Sequence, residues 1–226
     1  MHKSKTKSFI NKNQSGMTLI ELLVVLAIFI IVTGITIFDY GKFRSSVSLQ
    51  NLADDIALSV RRAQNYAIGV HSSSQSQFTG GYGIHFSNVP AGSLNNPYRA
   101  GSNKAFVLFN DLNPNRFYDY TNLSSICNIN TLSATDECVD MLNISSGDII
   151  SSICYTAAGT SFESCLTPGY VDITFLRPNP DARICVGNAG GACSIQASEV
   201  SIEVKNNQTL NTKIIKISNV GQISIE

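Results

Sequence analysis

The sequence predicts an α+β fold: a long N-terminal helix, transmembrane and then amphipathic, packed on a β-rich antiparallel head. Three observations carry that expectation. An apolar run fills Met17 to Phe38, and apolar residues keep recurring at short intervals from there to about Gly69. Short aromatic and β-branched runs separated by turn clusters occupy most of the remainder. Six cysteines, all beyond the apolar run, accompany those β segments.

Residues 1–16, MHKSKTKSFINKNQSG, carry Lys3, Lys5, Lys7 and Lys12 and no acid. Basic residues beside an apolar span stay on the cytoplasmic side, so the expected orientation is N-terminus in and C-terminus out. Residues 17–38, MTLIELLVVLAIFIIVTGITIF, are the expected transmembrane half of the helix. About 20 apolar residues rising 1.5 Å each cross a hydrocarbon core. Glu21 interrupts the run near its start, where an isolated carboxylate costs about 2.5–3.5 kcal/mol or more. Residues 39–70 are the expected amphipathic half. Phe43, Val47, Leu49, Leu52, Ile56, Val60, Ala63 and Ala67 trace an apolar stripe. Lys42, Arg44, Gln50, Asp54, Asp55, Arg61, Gln64 and Asn65 fall on the other side. No proline precedes Pro90, so one rod roughly 80 Å long is expected, with Gly34 and Gly41 as soft points and Gly69 as its end.

Residues 71–226 form the expected exported head. YGIHF (82–86), KAFVLF (104–109), DIISSICY (148–155), YVDITF (170–175) and ARICV (182–186) read as strands. EVSIEVK, TKIIKIS and QISIE, joined by KNNQ and SNVG, read as a three-strand meander with one buried face. The helix stripe is its natural cover. Residues 110–147 are polar and read as loops tied by Cys127–Cys138. An even cysteine count confined to the exported part indicates disulfides in an oxidising compartment. Nearest-neighbour order gives Cys127–Cys138, Cys154–Cys165 and Cys185–Cys193, one of the many connectivities six cysteines allow. A zinc site is the rival, but no C-x-x-C occurs and His2, His71 and His85 are scattered.

Composition and motifs argue against other classes. A formal net charge of zero offers no broad basic face for nucleic acid. There is no G-x-S-x-G elbow, and the exported histidines offer little for a triad, so no enzymatic activity and no cofactor are expected. His85, inside YGIHF, reads as a strand-face residue. Gly80-Gly81-Tyr82-Gly83 precedes a strand rather than a helix and is no phosphate loop. Asp54-Asp55 and Arg61-Arg62 read as a solvated helix face or as contacts between packed helices. Asp111, Asn113, Asn115 and Asp119 have the spacing of calcium-loop ligands. Arg116 stands where that loop wants glycine and Asn122 where it wants a bidentate carboxylate, so ordinary Asn-Pro-Asn turn chemistry is the preferred reading.

The order of a basic leader, Gly16, then Met17-Thr18-Leu19-Ile20-Glu21 and an unbroken apolar helix resembles the type IV pilin and pseudopilin family. The resemblance implies a pilin-like fold, cleavage by prepilin peptidase between Gly16 and Met17, N-methylation of Met17, and an assembly role for Glu21. It implies other pilin or pseudopilin subunits, the peptidase and an inner-membrane assembly platform as partners, with DNA involved only in an uptake pilus. It places the chain as a single-pass inner-membrane protein with its head in the periplasm or outside the cell. SLQNLADDIALSVRRAQNYAI (48–68), YGIHF, ITFLRPNPDARI (173–184) and TKIIKISNVGQISIE (212–226) resemble the pseudopilin H / FimT-like branch of minor subunits. That branch implies a subunit that primes assembly or sits near the tip of a type II secretion pseudopilus or a type IV pilus. Three alternatives stay open: a major pilin, a membrane-anchored periplasmic binding module stabilised by disulfides, and a secreted adhesin domain cut near Val32-Thr33-Gly34.

Overall fold

The computed structural model describes residues 16–69, 81–90, 102–112, 115–119, 137–176, 178–179, 181–187, 194–207 and 209–226. One helix, α1 (Leu19–Ile68), precedes ten strands: β1 (Gly81–Ser87), β2 (Ala105–Asp111), β3 (Cys138–Asn143), β4 (Asp148–Ala157), β5 (Glu163–Cys165), β6 (Tyr170–Phe175), β7 (Ala182–Gly187), β8 (Ile195–Asn206), β9 (Thr212–Ser218) and β10 (Ile223–Ile225). The chain divides into two compact units, Met1–Phe43 and Arg44–Glu226. The fold is the expected α+β arrangement, a long helix with an apolar stretch and an antiparallel sheet against which its later turns pack.

The sheet runs β10-β9-β8-β7-β6-β1-β2-β3, with β4 and β5 off that path. Long β8 explains the departure. Ala197 pairs with Ile184 of β7 and also with Ala157 of β4, so those strands lie on opposite edges of β8. Ser201 likewise pairs with Cys154 of β4 and Lys216 of β9. β7 and β9 therefore share one edge, joined where the Ala182 amide donates to the Asn219 carbonyl at 2.8 Å. The C-terminal meander is present as β8, β9 and β10.

Ile84, Leu108, Ile173 and Ile184 form one register row on the sheet face that meets the helix. The helix answers with Leu49, Leu52, Ala53, Ile56, Val60, Ala63 and Ala67, all buried in the same cluster. Phe43 and Val47, expected in that stripe, are exposed at 68% and 40%. The reason is phase. Val47 and Leu49 are two residues apart, about 200° around a helix, so they cannot share a face. The true continuation is Ser45, four residues before Leu49 and buried.

Two strands went unseen in the sequence. Residues 138–143 are β3 rather than loop, and β5 is only three residues long. β3 is an edge strand with half-buried side chains, so it lacks the alternation that betrays a strand. A bulge shapes β4. Ile150 pairs with Val204 and Ser152 with Glu203, leaving Ser151 as an extra residue. That residue resets the alternation and lets Ile150 and Ile153 both face the core.

Asp148 locks the start of β4 to the helix. Its side chain accepts from Ser48 Oγ, Ser146 Oγ and Asn206 Nδ2, each at 2.6 Å, and Asp148 is fully buried. Gly83 lies inside β1, not ahead of it, and its lack of a side chain matters. A Cβ there would stand 2.7 Å from the Ile173 carbonyl oxygen and 2.7 Å from the Phe109 ring.

The phase argument has a direct test. Ile56→Ala should destabilise the head by about 2–5 kcal/mol, whereas Phe43→Ala should leave its unfolding midpoint within about 0.5 kcal/mol of the parent. Chemical denaturation of the two variants distinguishes this register from one in which Phe43 joins the core.

Candidate functional site

The processing and assembly residues expected from the sequence lie where the helix begins. Gly16, Met17 and Thr18 have no regular secondary structure, and Met17 is exposed. Thr18 is the N-cap of α1. Its Oγ1 accepts from the Glu21 amide at 3.3 Å, and its carbonyl accepts from the Leu22 amide at 3.2 Å. Thr18-Leu19-Ile20-Glu21 thus has the T-x-x-E spacing of a capping box. Glu21 stands in the first turn, where a negative charge opposes the exposed amides of the helix end. The T-x-x-E spacing at 18–21 is the sequence signal for this cap.

Beyond the cap the helix is apolar on every side. Leu19, Ile20, Leu22, Leu23, Val24, Val25, Leu26, and Ile28 to Val32 are all exposed. Its most apolar stretch has a mean hydropathy of 2.8, with none of it buried, and is long enough to cross a membrane. Within the head unit, Val47 and Leu58 keep exposed apolar groups on the outer side of the helix. Eleven residues separate them, about 20° of rotation, so they share one line along that side.

A second polar cluster sits on the sheet face away from the helix. Val107, His85, Asp172 and Cys185 form one register row there. His85 Nδ1 lies 2.7 Å from Asp172 Oδ1, both groups buried, with the Tyr118 and Tyr170 rings at 5.6 and 5.4 Å from the imidazole. The Tyr118 amide also donates to Asp172 Oδ1 at 3.4 Å. His85 is therefore a strand-face residue, as expected, and it holds the sheet to the segment 115–119. Asp172 escaped notice because alternation in YVDITF suggests an outward acid, and nothing local says that this second face is covered.

The oxygen side chains with calcium-loop spacing hydrogen-bond within their own segment. Asp111 accepts from the Asn115 and Arg116 amides at 3.2 and 3.1 Å, and Asp119 Oδ2 accepts from Asn115 Nδ2 at 2.6 Å. Asn113 lies outside the described residues. Arg116, at the place where a calcium loop has glycine, takes φ 74°, a left-handed conformation that a turn and such a loop share. Among the described residues no group of three or more His, Cys, Asp or Glu could hold a metal ion. Glu137, not singled out from sequence, is the cluster's hidden clamp. Its buried carboxylate accepts from the Leu112 and Asp119 amides at 3.0 and 2.8 Å. Burial, opposed by those two donors and aided by Asp119 and Asp111, pushes it from 4.5 up to about 8. Burial likewise raises Asp111, against the Arg116 and Asn115 amides.

Cys154 and Cys165 are bonded as expected, across the β4–β5 pair. Cys138 and Cys185 are disulfide-bonded too, while Cys127 and Cys193, their expected partners, lie outside the described residues. A cleft of about 250 Å³ opens between α1 and β3, floored by Leu52, Phe106 and Leu142 and rimmed by Ser48, Asn51 and Asp55. Asp55 is the one titratable group among the residues lining it, so the cleft assembles no acid–base pair.

Residues 11–37 match the family described as the prokaryotic N-terminal methylation motif. Neither the curated proteins nor the solved structures gave a match. The motif, the exposed apolar helix and the antiparallel head together support a type IV pilin-like protein anchored in a membrane by one helix.

Glu137 makes the head sensitive to pH. The folded state holds a proton between pH 4.5 and about 8 that the unfolded chain releases. Stability from this group is complete below the lower value and is lost as pH rises through that window. The unfolding temperature should fall by several degrees from pH 5 to 8.5, and Glu137→Gln should flatten that slope. A slope unchanged in the variant would remove Glu137 as its cause.

Proposed function

We propose that this chain is a minor subunit of a pilus or pseudopilus, made as a precursor and cut between Gly16 and Met17 by a prepilin peptidase. The observation that carries the reading is one coincidence at the start of α1. The methylation-motif match covers Glu21, the sole charged residue of the apolar run 17–38, set at a capped helix N-terminus five residues after Gly16. The bond after Gly16 lies in chain without regular secondary structure, as a protease requires of its substrate. Cleavage leaves an ammonium on Met17, which the resemblance makes the N-methylated residue.

In this reading the residues group as a leader (1–16), a lipid-facing half-helix (17–38), an amphipathic half-helix (39–70) and an exported head (71–226). The lysines of the leader keep the N-terminus in the cytoplasm and send the head to the periplasm or beyond. Glu21 pairs with the Met17 ammonium of a neighbouring subunit and rewards docking in register. Removing either partner strands a charge, a loss of about 3–5 kcal/mol for a buried pair. The exposed line of Val47 and Leu58 extends the helix–helix contact past the apolar span. Assembly is heterologous and open-ended, one surface meeting a different surface of the next copy. The minor role, and a place in priming or at the tip, follow from the resemblance of 48–68 and 212–226 to the pseudopilin H / FimT-like branch. A type II secretion pseudopilus and a type IV pilus use the same subunit chemistry.

Mass measurement of the full-length product from membranes tests the first step: residues 1–16 should be absent and Met17 should carry one added methyl. Glu21→Gln should still insert in the membrane but be depleted from sheared fibres. A leader retained in assembled material, or normal incorporation of the variant, would overturn the reading.

A further inference from the structure

We propose that the Cys154–Cys165 bridge is a thiol-exchange site, opened by a small exogenous thiol while the rest of the head stays folded. Among the described cysteines, access sets it apart. Every residue of β5, Cys165 included, is exposed, whereas the disulfide-bonded Cys138 and Cys185 are 3% and 1% exposed. Exchange needs an approaching thiolate to reach a sulfur, so access orders the rates of otherwise similar bridges.

The two cysteines are direct partners in the β4–β5 ladder, with Tyr155 opposite Ser164 and Thr156 opposite Glu163. Among the described strands β5 pairs only with β4, so no second ladder is disturbed when the bridge opens. β4 itself is held by β8 along its length, from Asp148 opposite Asn206 to Ala157 opposite Ala197. Just past Cys165, Leu166 is buried and its amide donates to the Ile153 carbonyl at 2.9 Å. Release is thus confined to the tip between the cysteines, which carries Phe162 at 80% exposure.

The geometry also selects the sulfur attacked. Cys165 is exposed and Cys154 half-buried. Ser152 Oγ lies 3.3 Å from Cys154 Sγ, and a bridged sulfur has no proton to give, so the serine hydroxyl donates. When a thiolate bonds to Cys165 Sγ, the S–S bond breaks and its electron pair leaves on Cys154 Sγ. Ser152 then faces a thiolate, a far better acceptor than a disulfide sulfur, and the hydrogen bond strengthens as the bond breaks. The products are a mixed disulfide on Cys165 and a thiolate on Cys154, with no net oxidation.

The test uses the full-length chain in detergent micelles with limiting reduced glutathione at about pH 8, where some of that thiol is ionised. Acid quenching, alkylation and peptide mass measurement locate each label. Glutathione should appear on Cys165 and the alkyl group on Cys154, about tenfold faster than any label on Cys138 or Cys185. The far-ultraviolet circular dichroism should be retained. Ser152→Ala should slow adduct formation severalfold without moving the unfolding midpoint of the oxidised chain. Equal labelling of all bridges, or glutathione mainly on Cys154, would overturn the proposal, and the wild-type chain alone decides that should the variant fail to fold.

Discussion

The constraint on which the rest depends is that a single hydrogen-bonded helix, Leu19–Ile68, meets two kinds of surroundings along its length. From Leu22 to Val32 the sequence is apolar at every position, so no face is distinguished and no phase need be kept. Backbone groups are satisfied within the helix, the condition for entering hydrocarbon. From Ser45 onward the demand is different. Leu49, Leu52, Ile56, Val60, Ala63 and Ala67 must hold one phase to reach the sheet, and the small alanines among them let the backbone approach it. The change of regime falls near Phe43 and Arg44, where the chain also divides into its compact units.

The head then has a second problem. With helix packing on one side, the sheet still has another face, and β1 and β6 are buried at every position. Among the described residues, Tyr118 packs on that second face with Val107, Phe109 and Cys138, and polar groups lie beside this small cluster. His85, Asp172, Asp111 and Glu137 are consequently buried, and each has a hydrogen-bond partner. The amides of Leu112, Asn115, Arg116, Tyr118 and Asp119 supply most of those bonds. The segment is therefore fixed by carboxylates, and the carboxylates are desolvated by the segment.

Much of this was legible in the sequence, and the exceptions share a cause. YVDITF and TKIIKIS match their strands at both ends because period-2 patterning and turn residues agree there. β3 was lost because an edge strand with half-exposed side chains has no strong pattern, and β5 because three residues carry too little. Ser151 was invisible as a bulge, since only the partner strand reveals an extra residue. The stripe was misphased at Val47 because apolar character was followed where angular spacing should have ruled. At the helix start the acid, the glycine and the apolar run were all readable, yet Thr18 as a cap was not singled out. Asp148, Asp172 and Glu137 share one property: each is an acid buried by a segment distant in sequence, and no local window records that.

Glu21 has two physical roles, and their sizes decide which one accounts for it. As the acid in the first turn of a capped helix it gains about 0.3–1 kcal/mol from the amides at that end. Placement within hydrocarbon costs a carboxylate about 2.5–3.5 kcal/mol by insertion scales. The local gain therefore leaves roughly 2 kcal/mol uncovered, a deficit that an apolar residue at this position would not carry. Thr18 already caps the helix, which makes a capping role for Glu21 secondary. The proposed function supplies the remainder through a partner that a lone chain lacks, a positive group brought by a neighbouring copy. In the proposed reading that group is the Met17 ammonium, which cleavage after Gly16 would expose within about one helical turn of Glu21. On that reading the helix start is mildly unfavourable in isolation, the property that would make docking in register worthwhile.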